Sequence, residues 1–234
     1  MTEEIKRQLW EWAAAYHCAG FIQNDPVQFP HRYERKQDIE ISGLLTAIMS
    51  FGNRKQILKK ADELHRVMGH RLINTCCPAD GRTTFLLRTE AVFTGCFLMP
   101  TFIPISDVCM LLILLLTVWR MPYVRMQVIR WKGYAHFGSL GKEPQKKLNM
   151  FLRWMIRKGP EVDFGIWERF DCRDLIVPLD THVCRVAYAL GLTETETFSL
   201  KNARRITEAL AEAFPDDPCL GDFALFGSGV SGVL

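Results

Sequence analysis

Apolar residues recur at helical spacing through most of the chain, and proline, glycine and capping residues mark the breaks between those stretches. Near the start, Ile5, Leu9, Trp10, Trp12 and Ala13 lie at mostly helical spacing behind the acids Glu3 and Glu4. Such acids suit the positive end of a helix dipole, so residues 1–18 are expected to form a surface helix with one apolar stripe. Residues 21–33, F-I-Q-N-D-P-V-Q-F-P-H-R-Y, carry two prolines and are expected to be extended or turn-like. Residues 38–51, D-I-E-I-S-G-L-L-T-A-I-M-S-F, read as a buried helix. Gly52 and Asn53 stop it, and residues 54–68 read as a second, amphipathic helix packed antiparallel to the first.

Downstream, residues 145–158 place Leu148, Phe151, Leu152, Met155 and Ile156 on one face and turn their basic residues toward the others, with Gly159 and Pro160 as the stop. A loop with Pro178 leads into residues 180–190, where Val183, Val186, Ala187 and Leu190 share a face and Gly191 follows as a cap. Ser199 or its neighbour opens a further helix through Phe214, and D-P-C-L-G-D-F-A-L-F-G-S-G-V closes the chain as a short apolar helix. There is no convincing strand pattern, internal repeat or low-complexity tract, so the expected fold is all-α, in a single domain spanning residues 1–234.

Composition narrows the class. With 48% hydrophobic and 24% charged residues, the 234-residue chain is neither disordered nor collagen-like. Its eight cysteines include no C-x-x-C pair and no histidine partner at zinc-finger spacing, and they form no compact array suited to an iron–sulfur cluster. No metal or organic cofactor is expected. With no signal-peptide pattern at residue 1, a reduced, cytoplasmic protein is the expectation. The net charge of +3 is too small to announce a polyanionic partner. Its excess falls within residues 74–133, where Arg82, Arg88, Arg120, Arg125, Arg130 and Lys132 outnumber Asp80, Glu90 and Asp107.

The same stretch is anomalous in pattern. Residues 96–119 form the most apolar run of the chain, and Leu111–Leu116 shows no periodicity at all. A membrane span needs about 20 apolar residues, and Pro100, Pro104 and Asp107 interrupt this run well short of that. A buried core helix is the blander reading, but the run lacks the periodicity that surface-packed helices usually keep. The remaining reading is that residues 74–133 are translated out of frame between two compensating frameshifts. Alternative frames of Asp80–Phe85, Phe93–Phe97 and Val118–Val124 are able to spell W-T-D-D-F, Y-R-M-F and M-E-D-A-L-C, which have the amphipathic, acid-capped character the visible stretch lacks.

The most informative motif is L-I-V-P-L-D-T-H-V-C-R-V-A-Y-A-L-G-L, in which an acid follows a proline-containing loop and opens a helix. Asp180 is placed to cap its own helix through the amide of residue 182 or 183 while presenting a carboxylate at the loop; an ordinary N-cap is the plainer reading. The motif resembles P-[VL]-D-T-H-V-x-R-V of the helix-hairpin-helix DNA glycosylase superfamily, whose aspartate is catalytic. Joined by the segments F-x-x-D-P-V-Q-F-P-H-R-Y, D-I-E-I-S-G-L-L-T-A-I-M-S-F-G-N-R, K-K-L-N-M-F-L-R-W-M-I-R-K, V-D-F-G-I-W and D-P-C-L-G-D-F-A-L-F-G, it makes the chain similar to the bacterial DUF2400 family. That family is a distant relative of the superfamily and of archaeal 8-oxoguanine glycosylases. The resemblance covers residues 19–72 and 133–230 and skips the anomalous stretch.

The resemblance implies a glycosylase-like fold of two helical lobes around a cleft, and double-stranded DNA with a damaged base, such as an oxidised purine, as the partner. It implies a lysine that attacks the anomeric carbon and an aspartate, Asp180, that stabilises the developing sugar cation. Lys146 and Lys147 both fit: a family K-R pattern points to Lys146, whereas a K-x-x-x-F pattern points to Lys147. Their ordinary reading, with Arg153, Arg157 and Lys158, is a solvated helix face. In the superfamily an L-P-G-[IV]-G hairpin presents backbone N–H groups to a phosphate. Here the corresponding region is G-Y-A-H-F-G-S-L-G-K-E-P-Q, in which Gly138 and Gly141 would supply a looser version. Arg54, Arg153 and Arg185 are candidate phosphate contacts or plain ion-pair arginines. His182 either orients the site, touches a phosphate or is structural, and Trp154 and Trp167 either stack on a flipped base or belong to the core. The rival readings are a non-catalytic DNA-binding relative and, more distantly, a membrane-associated protein resting on residues 96–119.

The frame reading has a direct check. Resequencing the coding DNA across residues 70–136 is expected to reveal a pair of compensating insertions or deletions; a clean read in the present frame sinks the frameshift account.

Overall fold

The computed structural model describes residues 1–50, 52–69, 143–159 and 161–232. Residues 74–133 lie outside this set, together with Gly138 and Gly141. The described chain is helical: α1 (Glu3–Tyr16), α2 (Ala19–Gln23), α3 (Lys36–Met49), α4 (Arg54–Met68), α5 (Lys146–Ile156), α6 (Thr181–Ala189), α7 (Leu200–Ala211) and α8 (Leu220–Ser231). It divides into two compact units, one of Met1–Gln28 with Gly141–Leu234, the other of Phe29–Leu140. Among the described residues no helix is long and apolar enough to cross a membrane; the run 96–119 is not among them.

The first unit is organised around α8. Its sequence is apolar on every side, which is the pattern of a central helix, and α1 and α6 both pack on it. Three glycines make room for its neighbours. A Cβ on Gly227 would lie 2.2 Å from the Tyr16 ring of α1, one on Gly229 2.9 Å from His182 Cβ of α6, and one on Gly221 2.5 Å from Leu210 of α7. Leu9 and Ala13 of α1, Val183 and Val186 of α6, Ile206 and Leu210 of α7 and Leu225 of α8 form the core of this unit.

Local signals set the helix ends. Thr2 and Ser199 accept from the amides of Ile5 and Asn202, satisfying first-turn N–H groups. Helix α6 ends in a Schellman motif. Gly191 takes φ +71°, its amide bonds the Tyr188 carbonyl, and the Leu192 amide reaches the Ala187 carbonyl. The C-terminal carbonyls of α5 are satisfied from outside the helix, since the Phe164 and Trp167 amides donate to Trp154 O and Met155 O at 2.8 and 2.9 Å.

The stretch 21–33 takes the turn-like of the two expected forms. Its start lies in α2, and Pro26–Gln28 and Pro30–Arg32 are single 3-10 turns. Each proline opens its turn, where a missing N–H costs nothing and the fixed φ is already helical, and the Asp25 carboxylate accepts the Val27 amide at 3.0 Å. The prolines therefore start helical turns here.

In the second unit α3 and α4 pack together, and α3 is buried from Asp38 to Ile48. A polar contact joins them inside this apolar setting. His65 Nδ1–H donates to the Ala61 carbonyl at 2.7 Å, which leaves Nε2 to accept the Ser42 hydroxyl, also at 2.7 Å. Phe29 stacks on the imidazole with ring centroids 5.0 Å apart. Burial pushes the His65 pKa down to about 4, because a charged ring is disfavoured there.

A depressed histidine pKa makes the fold acid-sensitive. The folded state binds fewer protons than the unfolded chain between the unfolded value of about 6.5 and the folded value of about 4. The stabilisation is therefore complete above that window and is lost as pH falls through it. Lowering the pH from 7 to 5 is expected to remove about 2 kcal/mol, read as a drop in the urea midpoint, and His65→Gln should flatten that dependence.

Candidate functional site

Helix α5 begins abruptly. Gln145 has φ +51° and ψ +39°, a left-handed conformation that is uncommon for a residue with a Cβ, and the next residue, Lys146, is the first of the helix. The Asn149 side chain secures this corner by donating to the Pro144 carbonyl at 2.9 Å. The consequence is that Lys146 leaves the helix start rather than a mid-helix surface. Its Nζ lies 3.3 Å from Asp180 Oδ2, a contact between residues 34 apart in the sequence.

Asp180 serves two purposes. As the N-cap of α6, its Oδ1 accepts the Val183 amide at 2.9 Å, which fixes the carboxylate plane, and Oδ2 is left to face Lys146. The lysine side chain is 39% exposed and the aspartate 12%, so the pair sits at the edge of the unit with its amine open to solvent. Lys147, one residue on, is likewise partly buried. Burial, helped by the neighbouring Lys146 charge, lowers its pKa.

Two helical turns beyond Lys146, Arg153 lies in the interior with only 5% of its surface exposed. Its guanidinium pairs with Asp222 of α8 through Nη1 and Oδ2, approaches Asp163 Oδ1 at 3.4 Å, and covers the Phe223 ring at 4.5 Å. Arg157 follows with 2% exposure. It reaches Asp163 at 2.9 Å, Asp217 at 2.8 Å and His17 Nε2 at 2.9 Å. Burial opposes the charge on Arg153, but Asp163 and Asp222 outweigh it and raise its pKa. Burial pushes Asp222 up to about 6; Arg153 opposes that rise, whereas the negative charge of Asp180 adds to it. Burial likewise raises Asp217 and lowers His17.

These positions redraw the expected site. Lys146 and Asp180 are brought together. His182 and Arg185 are brought to a different place, both on the Gly229 carbonyl near the end of α8, at 3.1 Å from His182 Nδ1 and 3.2 Å from Arg185 Nη2. Arg153 and Arg157 are corrected from a solvated face to buried ion pairs, so Arg153 is enclosed among carboxylates where a phosphate does not reach. Trp154 is fully buried and belongs to the core, while Trp167 meets Phe151 edge-on at 5.5 Å. Arg54 opens α4 in the other unit.

Asp163, Asp217 and Asp222 were not anticipated from the sequence. The available signal was an acid inside an apolar string, V-D-F or L-G-D-F-A-L-F, which has to be paired if it is buried. Among the described residues no group of three histidine, cysteine or acidic side chains is arranged to hold a metal ion.

Comparison with family models gives a match to the protein of unknown function family DUF2400 over residues 25–93 and 124–231. The chain therefore belongs to the DUF2400 family. Comparison with curated proteins and with solved structures returns no match. The family match takes in residues 74–93 and 124–133, so the segment that departs from the family narrows from 74–133 to 94–123.

The two kinds of cation on α5 are expected to behave oppositely when removed. Arg153→Ala leaves Asp163 and Asp222 buried without their shared partner and is expected to cost about 3–5 kcal/mol of stability. Lys146→Ala removes a half-exposed pair and is expected to cost less than about 1 kcal/mol. Urea denaturation of the two variants distinguishes them, and equal losses would contradict the division into interior and edge.

Proposed function

We propose that this protein is a DNA glycosylase, which excises a damaged base from double-stranded DNA with Lys146 as nucleophile and Asp180 as its partner. The observation that carries the reading is the 3.3 Å contact between Lys146 Nζ and Asp180 Oδ2, made by two residues far apart in sequence at the starts of α5 and α6. It is supported by the resemblance of P-L-D-T-H-V-C-R-V to the glycosylase superfamily motif and by the helix start that turns the amine toward solvent. The pair favours Lys146 over Lys147 as the nucleophile, since Asp180 faces that amine.

The chemistry follows from the pair. The target nucleotide leaves the stack, at a cost of a few kcal/mol that is smallest for a damaged base. The unprotonated Lys146 amine attacks the anomeric carbon, a new carbon–nitrogen bond forms, and the glycosidic bond breaks with its electron pair leaving on the base, which takes up a proton. Asp180 stabilises the positive charge on the sugar and accepts the proton released by the amine. Ring opening then gives a Schiff base. The reading implies no metal or organic cofactor. The amide bond to Val183 holds one carboxylate oxygen in place so that the other stays directed at the reacting centre.

Borohydride trapping on duplexes carrying 8-oxoguanine or an abasic site tests the proposal. Wild type should give a covalent adduct, Lys146→Ala and Asp180→Asn should reduce it by about 100-fold or more, and Lys147→Ala should keep it within about tenfold. An adduct that survives Lys146→Ala overturns the assignment of the nucleophile. Salt-sensitive DNA binding with no adduct in wild type would replace the enzyme by a non-catalytic DNA-binding protein.

A further inference from the structure

Helix α8 ends at Ser231, so the Gly229 carbonyl lies in its last turn, where carbonyls lack a partner further along the helix. Helix α6 supplies the missing donors. His182 Nδ1 bonds Gly229 O at 3.1 Å and Arg185 Nη2 bonds it at 3.2 Å. A carbonyl only accepts, so Nδ1 of His182 carries the proton. The two helices come this close because residue 229 has no side chain: a Cβ there would lie 2.9 Å from His182 Cβ and 3.1 Å from Val186 Cγ2. The imidazole also meets the Phe226 ring edge-on, with centroids 6.0 Å apart. His182 and Arg185 thus grip the end of α8 from one face of α6, and the arginine charge suits the negative end of the α8 dipole.

The turn of α6 that carries His182 is the one Asp180 opens, with Asp180 Oδ1 on the Val183 amide at 2.9 Å. The contacts close a circuit: α5 is joined to α8 through Arg153 and Asp222, α8 to α6 through Gly229 and His182, and α6 back to α5 through Asp180 and Lys146. Sliding or tilting the first turn of α6 on α8 therefore displaces Asp180 relative to Lys146. We infer that His182 is a positioning residue for the Lys146–Asp180 pair, its Nδ1–H bond to Gly229 O setting where the first turn of α6 lies on α8 and so where Asp180 Oδ2 meets the amine. The inference deepens the glycosylase reading and rests on it for its consequence in catalysis, whereas the placement of Asp180 is a property of the protein without DNA. The role needs no change of charge, because Nδ1 donates both in the neutral ring protonated there and in the cation. Arg185 holds the same carbonyl from nearly one turn further along, on a long side chain of an exposed residue, and so fixes the first turn less closely.

The first test needs no DNA. The full chain is treated with a water-soluble carbodiimide, which activates a carboxylate so that an amine in contact with it displaces the urea and forms an amide. The Lys146–Asp180 amide is measured by mass spectrometry against the Glu3–Lys6 amide of the exposed pair on α1, whose charged atoms are 2.8 Å apart. His182→Phe keeps a ring and removes the N–H, and is expected to lower this ratio about threefold or more, while His182→Asn, whose amide nitrogen lies near the place of Nδ1, should stay within about twofold of wild type. Should His182→Phe not fold, His182→Leu takes its place, since leucine has the branched shape of asparagine without the donor. A ratio unchanged without the donor overturns the inference and leaves His182 a packing residue, seen only in the urea midpoint. A ratio lowered equally in His182→Asn overturns it as well, because the bond to Gly229 is then not what places Asp180. On an abasic duplex at saturating concentration, borohydride trapping is expected to slow about tenfold or more in His182→Phe, with the DNA Kd within about twofold of wild type. Weaker DNA binding with an unchanged trapping rate would make His182 a phosphate contact and overturn the inference. No trapping in wild type, together with the expected amide yields, would end the glycosylase reading and leave the placement of Asp180 by His182 standing.

Discussion

An arginine buried in an apolar unit has to find anions, and Arg153 finds two. The guanidinium joins α5 to α8 through Asp222 and to the loop after α5 through Asp163, and it lies over Phe223. Arg157 repeats the arrangement one turn later with Asp163, Asp217 and His17. Desolvating these ions is expensive, so they add little net stability over an apolar core of the same shape. What they impose is register. A rotation or slide of α5 against α8 would strand a charge, which is far costlier than misplacing a methyl group. With α5 held in this way, its first residue is fixed relative to α6, and the Lys146–Asp180 contact depends on that.

Much of the helical plan was legible because its signals are local. The 3.6-residue rhythm of Val183, Val186 and Ala187, the Gly191 cap and the oxygen caps at Asp180 and Ser199 all act within a few residues of where they are read, and the structure keeps each of them. The prolines near residue 26 left two alternatives open, extended or turn-like, and the structure takes the second, with the Asp25 side chain bonding the Val27 amide. The solvated-face reading failed for Arg153 and Arg157 for a non-local reason. Their spacing is the same whether they point to water or to carboxylates on other segments, and the deciding partners lie up to 69 positions away. Candidate chemistry showed the same split. Asp180 stood out by its motif, whereas Asp222 is one acid in an apolar string, and only tertiary packing reveals which cation it meets.

The spacing along α5 separates two uses of positive charge on one helix. Lys146 occupies the first position, behind a left-handed residue, where side chains reach solvent and a substrate would have access. Arg153 and Arg157 lie two and three turns further along and are paired with acids. Arginine suits the interior because its charge is permanent and its planar fork serves two carboxylates at once. Lysine suits the edge because its amine is able to lose a proton and become a nucleophile. The order of residue types along the helix thus follows the depth at which each one works.

Membership in DUF2400 bears on how the anomalous stretch is weighed. The family match breaks at 94–123 and resumes through 231, so the Lys146–Asp180 pair and the acids around Arg153 and Arg157 lie within family-like sequence. A segment altered by a local change of frame leaves such distant parts of the chain intact, whereas gradual decay of an unused protein has no reason to spare buried acids, their arginines and the caps of α6 and α7 together. Asp163 and Asp222 each keep an arginine partner, and a lost partner would cost several kcal/mol, a large share of the marginal stability of a domain this size. The coherence of these ion pairs therefore favours a unit maintained under folding constraint, with the irregularity confined to a stretch that supplies none of those residues.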